Sequence, residues 1–203
     1  MLDPNDPRKR IDKDSFRRGP PDTDDYLGSF FHFDPTTNKA NDLVFNCRAI
    51  LTNEEFWSTM QEGLFSLFKS GAAVILYQMG LEFGFSVGSR ARELKQDINE
   101  AVKFLEIYGL LAGWGKLKAS AIKLSMGHLT EDLKVTVEDN FFAAPNGKKA
   151  EEPRCFMIAG ILAGIIEGLL GEGYNCVETM CMAAGGKHCE FVITSRGRPS
   201  KES

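Results

Sequence analysis

The order of helical and strand periodicities along this chain predicts an α+β fold, an antiparallel sheet with helices packed on one side in the order ββ-ααα-ββ-α-ββ. Three observations carry that expectation. Apolar residues recur at three- and four-residue spacing over consecutive segments between positions 52 and 111 and again after Pro153. The strand-like segments come in pairs close enough in sequence to form hairpins. The helices run together instead of alternating with strands, which disfavours a doubly wound sheet. With 203 residues, 43% of them hydrophobic and 26% charged, the chain suits one domain with a sizeable core.

Residues 1–25 place Pro4, Pro7, Pro20 and Pro21 among mixed Arg, Lys and Asp with almost nothing apolar, and read as a flexible tail. A single domain is expected over 26–196, followed by a short flexible tail over 197–203. Two strands, Tyr26 to Phe33 and Asp42 to Ile50, would be joined by a turn through Asp34-Pro35-Thr36-Thr37-Asn38. Thr52 with Glu55 fits a capping box, and Phe56, Met60, Leu64 and Leu67 follow at helical spacing, so a helix is expected to about Lys69. A second helix runs from about Ala72 to Glu93. A third, from about Asp97 to Leu111, carries Ile98, Val102, Leu105 and Tyr108 on one face.

Gly113 and Gly115 then break the pattern. Lys116 to Ser125 and Leu133 to Phe142 read as strands, the first with a parity switch at Ala121-Ile122 that suggests a bulge. A loop at Pro145-Asn146-Gly147 precedes a helix from Pro153 to Leu170 and a final hairpin.

Two helices carry four-residue glycine ladders, Gly80, Gly84 and Gly88 on one and Gly160, Gly164 and Gly168 on the other. A helical glycine costs about 1 kcal/mol relative to alanine, so the six represent roughly 6 kcal/mol that tertiary structure must offset. Either another backbone comes very close to those faces, within one subunit or across a dimer, or the missing side chains leave room for a ligand. The chain has 15 Phe, 4 Tyr and 2 Trp. Tyr77, Phe83, Phe104, Tyr108, Trp114, Phe141 and Phe156 are the candidates for a pocket wall, although large apolar residues at helical spacing are more often core.

The most informative pattern lies near the C-terminus, where Cys155, Glu178, Cys181 and Cys189 are spaced Cys-x22-Glu-x2-Cys-x7-Cys. Ala183-Ala184-Gly185-Gly186 signals a tight turn that brings Cys181 and Cys189 together. Cys155 would start the preceding helix, completing four ligands of the kind zinc takes. Spacing alone leaves open a set of buried thiols or a disulfide framework, and leaves Cys176 competing with Glu178 for the fourth place.

The stretch from Pro153 to Ile193 resembles the 4-vinyl-reductase domain family of hydrocarbon-binding proteins. A cysteine opens an apolar, glycine-spaced helix, Val177-Glu178-Thr179-Met180-Cys181 follows as a strand, and a glycine turn leads to Cys189-Glu190-Phe191. Upstream, Ala72 to Gly80 followed by Gly84 resembles the family's first long helix, and Leu133 to Phe142 resembles the strand before its C-terminal helix. The resemblance implies a fold like that of the TRAPP tethering-complex subunits, a homodimer and an internal apolar pocket. From phenol-sensing members it implies a structural zinc on Cys155, Glu178, Cys181 and Cys189.

A net charge of -4 gives no general attraction to nucleic acid or anionic membranes. The apolar run Cys155 to Leu170 is too short to span a bilayer and contains Glu167, and no secretory leader is evident. A cytoplasmic location, where thiols stay reduced, is expected. No Gly-x-Gly-x-x-Gly lies between a strand and a helix, and Gly171-Glu172-Gly173 follows a helix, so no dinucleotide cradle and no catalysis are expected. None of His32, His128 and His188 has the spacing of a catalytic base.

The leading reading is a sensor or carrier module for an aromatic, hydrocarbon or tetrapyrrole-like ligand, with a protein partner receiving its output. The alternatives are a scaffold subunit of the tethering-complex kind and, on the strength of Arg196-Gly197-Arg198-Pro199, a DNA-linked regulator.

Overall fold

The computed structural model describes residues 30–50, 52–94, 97–143 and 150–196. The N-terminal tail, the Pro145-Asn146-Gly147 loop and residues 197–199 of the arginine motif lie outside the described residues. The chain divides into two compact units, residues 1–52 and 53–203.

The described part of the first unit is a three-stranded antiparallel sheet of β1 (Phe31–Asp34), β2 (Lys39–Asp42) and β3 (Cys47–Ala49) in sequential order. The Asp34 carboxylate accepts from Thr36 N at 2.8 Å and Thr37 Oγ1 at 2.7 Å, which closes the expected turn. A single strand from Asp42 to Ile50 does not form. The Asp42 carboxylate captures Val44 N at 2.9 Å and Phe45 N at 3.0 Å, and Asn46 takes a φ of 51°, so the apolar run becomes a second turn.

The second unit starts with α1 (Glu54–Phe68), α2 (Gly71–Leu94) and α3 (Ile98–Leu111). The cap of α1 is Asn53, not Thr52. Its side chain accepts from Phe56 N at 2.9 Å, one residue later than the capping-box reading placed it. Asp97 caps α3 by accepting from Asn99 N and Glu100 N. Gly113 and Gly115, at φ 78° and 105°, turn the chain into β4 (Lys116–Ala119).

Both strands expected next are shorter than their sequence pattern. β4 leaves the ladder after Ala119, and the following residues form a separate small hairpin of β5 (Leu124–Ser125) and β6 (His128–Leu129) in place of a bulge. Its two-residue loop, Met126 and Gly127 at φ 49° and 85°, has the twist that favours hairpins. β7 (Leu133–Glu138) ends before Phe142 because Asp139 adopts a φ of 53°. α4 (Phe156–Leu170), β8 (Tyr174–Met180) and β9 (Cys189–Ser195) complete the unit.

The main sheet has the order β4-β7-β9-β8, with every pair antiparallel. Val135, Val137, Phe191, Ile193, Tyr174 and Cys176 are buried on one face, while Lys134, Glu138 and Val177 are exposed on the other. α4 packs on β8 and β9 and is buried on nearly all sides.

Along its length α4 also packs against α2, and there the glycine ladders meet. A Cβ on Gly84 would strike the carbonyl of Ile161, and one on Gly88 that of Ile165. Reciprocally, a Cβ on Gly160 would strike the Tyr77 carbonyl, and one on Gly164 that of Leu81. Partner numbers rise together, so the helices run parallel in direct backbone contact. The two ladders face each other within one chain.

Candidate metal centre

Four side chains from three elements converge at the start of α4. Cys155 occupies its N-cap position with no side-chain capping bond of its own. Glu178 comes from β8, Cys181 lies just beyond that strand, and Cys189 opens β9. The turn between them is closed by Cys181 O, which accepts from Ala184 N at 3.2 Å and Gly186 N at 2.9 Å. A β-bulge between Glu178 and Met180 alters the strand's direction just before Cys181.

One ligand atom from each residue lies within 4.8 Å of every other. Cys155 Sγ is 3.8 Å from Cys181 Sγ and 3.8 Å from Cys189 Sγ. A tetrahedral zinc with sulfur at about 2.3 Å requires S···S edges of about 3.8 Å, whereas a disulfide requires about 2.05 Å. All five cysteines are free thiols. The three sulfurs thus fit metal coordination and not cross-linking.

The carboxylate supplies a second test of fit. Glu178 Oε2 accepts from the backbone N of Cys155 at 3.1 Å, at the positive end of the α4 dipole. Oε1 is buried and has no hydrogen-bond partner among the described residues. A buried carboxylate oxygen left in that state is costly, and a cation at the centre of the cluster would satisfy it.

The proton balance agrees. Burial, above all, pushes the Glu178 carboxyl up to about 7. Hydrogen bonds shared with Cys181, then with Cys189, drive the Cys155 thiol far upward, while the same sharing with Cys155 and Cys189 holds Cys181 well down. Without a metal the cluster therefore concentrates thiolate character on Cys181 and retains protons elsewhere. A divalent ion lets all four groups ionise together.

Cys176 is not part of the cluster. It shares the buried face of β8 with Glu178 but lies two residues earlier, about 7 Å along the strand. Burial raises its thiol, and its backbone N donates to Tyr77 Oη at 3.0 Å, tying β8 to α2.

The aromatic candidates fall into separate groups. Phe83 and Tyr108 both meet Trp114 edge-on, at ring-centroid distances of 5.9 Å and 5.7 Å, and Phe104 is buried one helical turn before Tyr108. Phe141 lies 6.5 Å from Trp57 and stacks on Phe142. Phe156 neighbours Phe65 at 6.2 Å. Trp57, Phe65 and Phe142 were not singled out by the sequence, which carries no signal for which aromatics meet across distant elements. A cleft lined by Ser58, Gln61, Glu62, Phe65, Ala143, Ala150 and Arg154 contains none of the seven candidates. Gln61 Nε2 donates to Arg154 O at 3.3 Å beside it. His128 Nδ1 pairs with Glu172 at 2.7 Å on the surface. No helix of the described residues is long and apolar enough to cross a membrane.

The family model for the vinyl-4-reductase domain matches residues 133–195, the stretch that contains all four ligands, so the resemblance to the 4-vinyl-reductase family holds there. The phenol regulator MopR of Acinetobacter guillouiae is 29% identical over 151 residues, 63% of this chain and 25% of the regulator. Among solved structures, the phenol-responsive sensory domain of the transcription activator PoxR, determined with phenol, gives a TM-score of 0.76 at 16% identity. That likeness covers 87% of this chain and 90% of the domain.

Trafficking protein particle complex subunit 3 from Naegleria fowleri, covalently bound to palmitic acid, gives a TM-score of 0.51 at 10% identity, covering 73% and 95%. These likenesses establish the fold, an α+β architecture shared with sensory domains and tethering-complex subunits. The chain spans between 25% and 65% of the length of the three curated relatives it matches.

Proposed function

We propose that this chain is a sensor or carrier module that binds a small apolar molecule and is stiffened by a structural zinc on Cys155, Glu178, Cys181 and Cys189. The observation that carries the reading is the 29% identity to a phenol regulator over 151 residues. Phenols are the first ligands to test within the broader class of aromatic, hydrocarbon or tetrapyrrole-like molecules. The Phe83, Tyr108 and Trp114 cluster supplies flat apolar surface with a phenolic hydroxyl and an indole N–H, groups suited to one aromatic ring bearing one polar substituent.

Zinc with four protein ligands keeps no open position for activated water, so the metal's role is to hold the β8–β9 hairpin against α4. No catalytic step belongs to this reading. A homodimer fits the exposed Val74 and Phe85 of α2, at 63% and 45% exposure. A cytoplasmic location fits five free thiols, four of them buried.

Native mass spectrometry with metal analysis, followed by titration with phenol and substituted phenols, tests the proposal. A ligand at a hundred times its Kd stabilises by about 2.7 kcal/mol, which raises Tm by roughly 5–11 °C for a chain of this size. Metal-free protein whose Tm is indifferent to every apolar ligand tried would defeat the reading. The likeness to a tethering-complex subunit favours a second reading, a scaffold subunit, which requires stable partners in affinity purification.

A further inference from the structure

Thiolates bound to a divalent ion remain strong hydrogen-bond acceptors, and the groups that donate to them fix ligand orientation and tune affinity. Two such donors here are backbone groups. Met182 N donates to Cys189 Sγ at 3.4 Å, and Cys155 N donates to Glu178 Oε2 at 3.1 Å. The Cys155 thiol has a side-chain donor instead, Asn140 Nδ2 at 3.4 Å. Asn140 is 4% exposed and follows β7 at a bend that Asp139 enters with a φ of 53°.

The direction of the amide is fixed by its other end. Asn140 Oδ1 accepts from Phe142 N at 3.1 Å. A flipped amide would set an NH2 group against an N–H and a carbonyl oxygen against sulfur, losing both bonds. The N–H therefore faces Cys155.

We propose that Asn140 is a positioning residue of the metal centre, holding the Cys155 thiolate through an N–H···S bond. The inference rests on the metal reading above. Three thiolates and a carboxylate outweigh the charge of a divalent ion, and a donor aimed at a buried sulfur offsets part of that excess. An apolar side chain of the same volume cannot. Because Asn140 Oδ1 also closes the turn carrying Phe141 and Phe142 toward Trp57, one amide links that aromatic group to the metal.

The turn and the donor are separable. Asn140→Asp keeps an oxygen for Phe142 N but replaces the donor by an anionic oxygen facing sulfur, whereas Asn140→Ala loses both. Zinc affinity, measured by competition with a chromogenic chelator, should fall by about 10- to 100-fold in both variants. The sulfur-to-cobalt charge-transfer bands of the cobalt-substituted forms should shift. A purely structural role in the turn predicts that Asn140→Asp keeps wild-type affinity and bands, and that result would overturn the proposal.

A measurement on the unsubstituted chain guards against variants that do not fold. With cadmium-113 bound, the Asn140 side-chain N–H should show scalar coupling to the metal through sulfur, and its absence would likewise overturn the proposal. Wild-type protein that takes up none of these ions overturns the metal reading and this inference with it. Wild-type uptake with an indifferent Asn140→Asp overturns this inference alone.

Discussion

Adding one methyl group at Gly164 should separate α2 from α4. The new Cβ would strike the Leu81 carbonyl oxygen and lie 2.6 Å from Phe85 N and 2.9 Å from Leu81 C, all of them backbone atoms that no rotamer change can move. Carbon contacts are comfortable at about 3.5–4.0 Å, so the helices must part by about 1 Å. Overpacking of this kind costs about 1–3 kcal/mol, and a rigid backbone neighbour places the cost at or above the upper end. Alanine's better helix propensity offsets about 1 kcal/mol.

The net loss is about 2 kcal/mol, a fall in Tm of roughly 4–8 °C at this chain length. Gly63 on α1 is the matched control, since a Cβ there meets nothing within 4 Å. Gly63→Ala should keep the propensity gain alone and raise Tm by about 2–4 °C. Thermal and urea unfolding of both variants, followed by circular dichroism, reads the opposite signs. A Gly164→Ala protein as stable as Gly63→Ala would refute the backbone-contact geometry.

Cys181→Ser should abolish metal retention and cost more than about 4 kcal/mol, because metal affinity is folding free energy, and unchanged metal content would remove the site. The pH response of the metal-free protein should oppose that of the loaded form. Folded Glu178 titrates at about 7 instead of 4.5, so its contribution to stability is complete below 4.5 and is lost as pH rises toward 7. Metal displaces that proton, so affinity grows over the same window, and melts with and without zinc should diverge as pH rises. Parallel curves would show that Glu178 is not a ligand. Tyr77→Phe should leave the Cys176 N–H of β8 without its acceptor, cost about 1–3 kcal/mol and speed hydrogen exchange at that amide.

The four ligands were legible as a set because their spacing survives in one dimension. A helix start and a hairpin are local features, and each places its cysteines without help from the rest of the chain. The choice between Glu178 and Cys176 was not legible from the residues, since positions two apart share a strand face and the deciding quantity is distance along β8. Asn140 was invisible for a related reason. It sits in a turn 15 residues before Cys155, and nothing in its neighbourhood marks an amide aimed at sulfur.

The misread strands share one cause. Apolar runs at Leu43-Val44-Phe45 and Ile122 to Leu124 have strand composition, but Asp42 and the Met126-Gly127 pair impose turns through backbone and side-chain bonds that outweigh it. Helices fared better because their period extends over many residues, and only the cap of α1 moved, by one position.

A ladder of glycines four residues apart behaves as a toothed rail. α2 and α4 cannot slide by small amounts, because every intermediate position drives a side chain into a carbonyl, and the next notch lies about 6 Å away, four residues at 1.5 Å each. A jump of one notch would carry Cys155 out of reach of Cys181 and Cys189, while Tyr77 keeps β8 indexed to α2. A metal joining Cys155 to the hairpin would thus be the pin that selects one notch, so its removal should release a discrete step between the helices and not a gradual loosening.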